Sequence, residues 1–378
     1  MTTPITCGLP RESSSVKSTS LGSRYSWTTA VFNGEAAVRH WLDKCEFKGK
    51  MTKQKRHTDT PDPSYSTISF FCGCGGLDLG FMGGFSYKSK RYEALPFSIL
   101  GAYDFDGGCV QTYRNNIDSH AKQKDLSNYD PNDIPAADVL LGGFPCQDFA
   151  TCGPRRGLNS DRGKLYQALL KYMNAHRPKI AIGENVPGLE NLQDGEVLEI
   201  IQDDLKKCGY KVRVWKLFGP EHGIPQRRTR LFIVCVRDDL DGFPRKPVVQ
   251  YPDRPYKHTI RWALQDLEDI TDDTVPNQSQ YFKASKAKNG NGQGDEVSDP
   301  DKPAYTIRAK PQSRIQFHYS LNRRLTIREC ARLQTFPDNF VFPHSATANI
   351  LQIGNAVPPV MGHLVAKSIA RFLGDKHE

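Results

Sequence analysis

A doubly wound α/β sheet is the fold class this sequence predicts, and three observations carry it. From residue 66 onward, short apolar runs alternate with amphipathic stretches of helical period. Helical stretches close on glycine or proline, as at Gly209 and Pro178. Two apolar runs end in glycine turns, at 71–76 and at 142–143, where parallel strands pass into ligand-binding loops. With 378 residues, of which 38% are hydrophobic, the chain suits about two domains and can bury a core without staples.

Residues 1–65 stand apart as an N-terminal arm, disordered or an accessory cap, with ten Lys/Arg against six Asp/Glu and a serine run at 13–15. Asn33 would cap a short helix over 34–45, since Ala37, Val38, Trp41, Leu42 and Cys45 then share a face. Met51 could serve as a second start. Next come a strand at 66–71, a short helix at 76–84, a strand at 97–103, a helix at 110–116 and a strand at 138–141. Leu165, Leu169, Tyr172 and Met173 mark a helix that stops before Pro178, and 180–182 is a strand running into Glu184. Val197, Ile200, Ile201, Leu205 and Cys208 mark another helix, and strands at 212–217 and 231–236 complete a domain over 66–236.

After Arg237 the rhythm fails. Prolines at 244, 247, 252 and 255 and the Gly/Asn-rich run at 289–294 indicate a second, smaller, loop-rich domain over 237–343. Helical periodicity returns at 326–333 and 360–372, so 344–378 should pack back on the first domain. No apolar run approaches the roughly 20 residues of a membrane span, and no secretory segment opens the chain, so a cytoplasmic protein with no membrane partner is expected. Ten cysteines lack any Cys-x-x-Cys pair or zinc-spaced ladder, which implies reduced thiols and no metal site. A formal charge of +9 favours a polyanionic partner, although many basic proteins bind none.

The chemistry gathers at strand ends. Cys146 follows Pro145 at the exit of the 138–141 strand, the place for a nucleophile, whereas most lone cysteines are core residues. Glu184 ends its own strand and could converge with Cys146 as a protonated donor; a solvated strand-end acid is the ordinary alternative. Arg228 and Arg230 enter the 231–236 strand, and alternation sends both to one face, where they could hold a carbonyl oxygen or phosphate or merely charge the surface. The turn of Phe71, Gly73, Gly75 and Gly76 sits where a nucleotide-binding loop belongs, but Asp78 takes the place of the fingerprint's third glycine. Asp104 could bind ribose hydroxyls and Phe105 stack on a purine, with Asp125 a weaker member of the set. Six basic residues, no acids and Tyr305, Phe317 and Tyr319 occupy 302–324, which suits a DNA-facing surface or a plain basic face.

The motifs at 71–76, 143–147, 183–186, 226–230, 324–337 and 352–357 together resemble, in order, those of the cytosine-5 DNA methyltransferases of bacterial restriction-modification systems. The resemblance covers about 66–369 and leaves out the arm and much of the insertion. It implies a Rossmann-like methyltransferase sheet with a target-recognition domain, and methyl transfer from S-adenosylmethionine to C5 of a flipped-out cytosine in duplex DNA. Cys146 would add at C6, Glu184 would contact N3 and the exocyclic amine, Arg230 would hold O2 and Arg228 would support the pocket. Phe71, Gly73, Gly75, Gly76, Asp104, Phe105, Asp125, Pro145 and Asn355 would surround the cofactor, with no metal. A base inside a duplex cannot present C6 to a thiol, hence the flipping. The loop at 150–164, with Arg155, Arg156, Arg162 and three glycines, would close over it. The resemblance further implies a monomer on DNA and a restriction endonuclease acting on the same site. Two rivals stay open at this point, a transfer-RNA cytosine-5 methyltransferase on the same scaffold and a DNA-binding homologue that has lost catalysis.

Overall fold

The structure is a computed structural model that describes residues 65–144, 163–252, 256–283, 296–309 and 315–374, with no side chains described at 163 and 164. The expected helix at 34–45, Met51, the turn of Pro145 and Cys146, most of the 150–164 loop and the 289–294 run lie outside the described residues.

Seven strands form one sheet: β1 (Tyr65–Phe70), β4 (Phe97–Asp104), β5 (Lys122–Gln123), β6 (Val139–Gly142), β7 (Ile180–Asn185), β8 (Tyr210–Phe218) and β9 (Thr229–Arg237). A small hairpin, β2 (Ser86–Tyr87) with β3 (Lys90–Arg91), stands apart and was not expected. Across the sheet the order is β5-β4-β1-β6-β7-β9-β8. β1 pairs in parallel with β4 on one side and β6 on the other, so the order reverses there, and the carboxyl ends of β1 and β6 form the switch point at which such sheets take their ligands in a crevice. One strand departs from a wholly parallel sheet, because β9 runs antiparallel to both β7 and β8. Only residues 219–228 separate β8 from β9, too few for a parallel crossover, so the chain turns back.

Alternation along the strands builds two cores. One set, including Val139, Leu141, Ile180, Ile182, Phe232 and Val234, packs with α1 (Gly76–Met82) and α8 (Pro359–Gly374). The other, including Ile68, Phe70, Leu140, Ala181 and Ile233, packs with α3 (Gly163–His176) and α4 (Glu196–Lys207). Helices therefore cover both faces, as a doubly wound sheet requires. α2 (Gly107–Asn116) covers a smaller cluster around Ala102 and Tyr113.

Within 237–343, the described residues form α5 (Ile260–Leu264), α6 (Ile327–Leu333) and isolated bridges. Their buried side chains, such as Leu264, Ile307 and Leu325, share one cluster with the sheet face of Phe232. Thr326 and Glu329 close a capping box at the start of α6, which explains the periodicity seen at 326–333. α7 (Ala346–Asn355), capped by Ser345, was missed because only Ile350, Leu351 and Ile353 carry its apolar signal. Among the described residues no helix is long and apolar enough to cross a membrane.

Candidate functional site

Two walls flank the crevice, and each is built differently. On the β1 side, Phe71 leaves its strand at φ +55°, Gly73 follows at φ +55° and Gly75 at φ +89°. A Cβ on Gly75 would lie 2.1 Å from Ile117 Cδ1, so only glycine fits. Gly76 has a different constraint, since its Cβ would meet the Val357 carbonyl oxygen at 2.3 Å; the loop is thereby sealed against 356–357. At Gly73 nothing among the described residues lies within 4 Å of an added Cβ.

Asp104, at the end of β4, orders this loop from below. Its Oδ2 accepts from the Gly73 N–H at 2.8 Å and its Oδ1 from the Asp106 N–H at 2.9 Å. Burial raises its pKa, while these backbone donors lower it. The carboxylate expected to face a ribose is thus also the brace of the glycine turn, and its remaining lone pairs are what a ligand could use. Phe105 beside it is 72% exposed, an unusual state for phenylalanine, and its ring is available for stacking. Asp106, not singled out from sequence, caps α2 by accepting from Gly108 and Cys109 N–H groups at 2.7 and 3.0 Å. Its signal was present, an aspartate directly before a helix. Asp125 lies just past β5, exposed, and accepts from the Ser127 N–H at 2.8 Å. Asn355 is the exposed last residue of α7.

The β7–β9 side is built from buried charge. Glu184, 8% exposed, meets Arg230 with Oε1 2.7 Å from Nε. Burial pushes the Glu184 carboxyl up, against the lowering pull of Arg230 and Arg228. Burial likewise lowers Arg230 despite its carboxylate neighbour. Arg228 stands just before the first residue of β9, is buried like Arg230 and turns to three carbonyl oxygens. These are Ile307 at 3.0 Å, Gly354 at 2.7 Å and Ala356 at 2.8 Å. It therefore ties the Glu184–Arg230 wall to the end of α7. Gln226 and Gln334, absent from the expected set, belong to the same junction: Gln226 Nε2 donates to Gln334 Oε1 at 2.6 Å, and Gln334 Nε2 donates to the Ala356 oxygen at 2.6 Å.

The backbone before Cys146 is fixed against this wall. A Cβ on Gly143 would lie 3.4 Å from Glu184 Oε2 and 3.9 Å from the Phe71 oxygen, so the glycine brings both walls to one point. Asn185 Nδ2 donates to the Phe144 oxygen at 2.9 Å. Asn185 too was missed as a site residue, although it adjoins Glu184 in the sequence. Pro145 and Cys146 themselves lie outside the described residues. Other thiols near the loop are poor nucleophiles: burial raises Cys72 and Cys109 and pushes Cys74 up to about 12. Among the described residues, no group of three or more His, Cys, Asp or Glu is placed to hold a metal ion.

Comparison with known proteins bears on this geometry. The family model of C-5 cytosine-specific DNA methylases matches residues 65–371. The type II methyltransferase M.NgoFVII of Neisseria gonorrhoeae is 32% identical, over 87% of this chain and 92% of its own. M.FnuDI of Fusobacterium nucleatum is 29% identical, over 82% and 96%. Among solved structures, that of the S. pombe Dnmt2 methyltransferase superposes with a TM-score of 0.63 at 18% identity, covering 83% of this chain and 100% of the other, a likeness of fold.

Proposed function

The chain belongs to the C-5 cytosine-specific DNA methylases, and from that premise we propose that it methylates a specific duplex site from S-adenosylmethionine, through a flipped-out cytosine held between Cys146, Glu184 and Arg230. The observation that carries the reading is the buried 2.7 Å Glu184–Arg230 pair beside Gly143, three residues before Cys146. Desolvation makes such a pair costly unless a ligand or a function repays it.

The chemistry follows from what each group can do. Cytosine is electron-poor at C6, so the Cys146 thiolate can add there and leave C5 nucleophilic. Glu184, its pKa raised by burial, is suited to donate a proton to N3 as electron density builds in the ring. Arg230 then faces O2, where it offers charge-assisted donors without giving up a proton. Arg228 positions the wall through its three carbonyl bonds. Once C5 has taken the methyl group, loss of its proton to a base expels the thiolate, and return of the N3 proton to Glu184 restores the ring.

The β1 side fits the donor. The Gly73 backbone, the braced Asp104 carboxylate and the exposed Phe105 ring offer backbone approach, hydroxyl acceptors and a stacking face. Asn355, Phe71 and Pro145 would line the same site, with Asp125 at its edge. When bound, the sulfonium supplies an activated methyl group. The 237–343 segment would supply target recognition and 344–378 the closing helix of the catalytic domain. The enzyme would act as a monomer, sharing its site with a cognate endonuclease. A DNA-specific family model argues against the transfer-RNA and inactive readings. Incubation of duplex DNA and of transfer RNA with labelled donor, followed by bisulfite sequencing, tests this. Label at one cytosine of a fixed duplex site is expected; label confined to RNA, or none, overturns it.

A further inference from the structure

Arg227 lies between two buried residues of the junction, Gln226 and Arg228, yet its own side chain turns elsewhere. Its guanidinium carbon lies 5.6 Å from the Tyr256 ring centroid and 5.4 Å from that of Tyr305. Both rings are unusually exposed, 46% and 38%. The backbone beneath is pinned from both sides: Arg227 N–H donates to the Ala304 oxygen at 2.8 Å, and Thr306 Oγ1 donates to the Arg227 oxygen at 2.7 Å. Among the described residues the guanidinium makes no hydrogen bond or ion pair, and its Nε is buried without a partner. The nearby acids have other partners, Asp299 pairing with Lys302 at 2.7 Å and Glu296 meeting the Tyr305 hydroxyl.

A guanidinium braced by two aromatic rings keeps its N–H edge for a planar or tetrahedral oxyanion and loses little rotamer freedom on binding one. It stands three residues before Arg230, within about 10 Å along the backbone. A cation so placed and pinned, which acts on Asp299 through space but makes no hydrogen bond among the described residues, suits one phosphodiester close to the target nucleotide. We propose that Tyr256, Arg227 and Tyr305 form a phosphate clamp for the DNA backbone. This rests on the reading above, and supplies it with a contact that fixes register without reading sequence.

The test is the salt dependence of binding to a duplex containing the target site and to one lacking it, for the wild type, R227A, R227K and the Y256L/Y305L double variant. Donor affinity and melting temperature serve as checks on folding. For R227A the slope of log Kd against log salt should fall by about 0.9, with equal loss on both duplexes. R227K should restore the slope, whereas Y256L/Y305L should keep the slope but weaken binding at every salt concentration. An unchanged slope in a folded R227A, or a loss confined to the target duplex, overturns the clamp. If the wild type methylates no duplex cytosine, the functional reading falls and the clamp with it; if it does and R227A binds as the wild type does, only the clamp falls.

Discussion

The two walls of the crevice present the same kind of opening by opposite means. On the β1 side the surface is backbone: glycines at positive φ, N–H groups locked by Asp104, and one exposed ring. On the β7–β9 side it is desolvated charge, with Glu184 and Arg230 both shifted by burial. Substitutions in the two walls should therefore register in different measurements. A backbone wall positions a ligand and should affect its affinity. A buried charged wall stores interactions that strengthen as a reaction moves charge, and should affect turnover.

The sharpest way to break that contrast is Glu184→Gln. It should cut kcat by roughly 10²–10⁴, as loss of a general acid does, with donor affinity within about twofold. An equal loss of donor affinity would erase the distinction between the walls. Next comes Asp78, wholly buried on α1 beneath the loop, where burial pushes its carboxyl up to about 7 against the influence of Ser69. Its folded pKa lies above the unfolded one, so the protein is most stable below about pH 4 on this account and loses stability as pH rises through about 7. Asp78→Asn should therefore raise stability at pH 8 by on the order of 4 kcal/mol, with little gain near pH 4, read by urea melts across that range.

Gly75→Ala follows. A methyl group at φ +89°, against Ile117, should cost about 2–3 kcal/mol and weaken donor binding more than it slows turnover. Calorimetric titration beside a thermal melt separates the two. Smallest is Asp125→Ala, whose exposed carboxylate accepts from the Ser127 N–H: a stability change within about 0.5 kcal/mol by thermal melt, with a rise in the KM for the donor.

Much of this was legible in the sequence because local chemistry and fold agreed there. Strand ends announced Glu184 and Asp104, and glycines announced the turn at 71–76. The antiparallel pair β8 and β9 was less legible, although the ten residues between them carried the information as length, not composition. Alternation put Arg228 beside Arg230 but could not name its partners, because Gly354 and Ala356 lie more than a hundred residues away. Asn185, Gln226 and Gln334 were hidden for a similar reason: a buried amide matters through what it holds, and periodicity does not say what that is.

The proposed chemistry requires one bond, from Cys146 to the ring. A duplex carrying 5-fluorocytosine at the methylated position replaces the proton that must leave C5 with fluorine, so the adduct cannot resolve. Incubated with S-adenosylmethionine, the enzyme should form a stable one-to-one covalent complex with DNA, and mass spectrometry of its digest should place the nucleotide on Cys146. A cross-link at Cys72, Cys74 or Cys109, or no cross-link from a preparation that methylates the ordinary duplex, would contradict it.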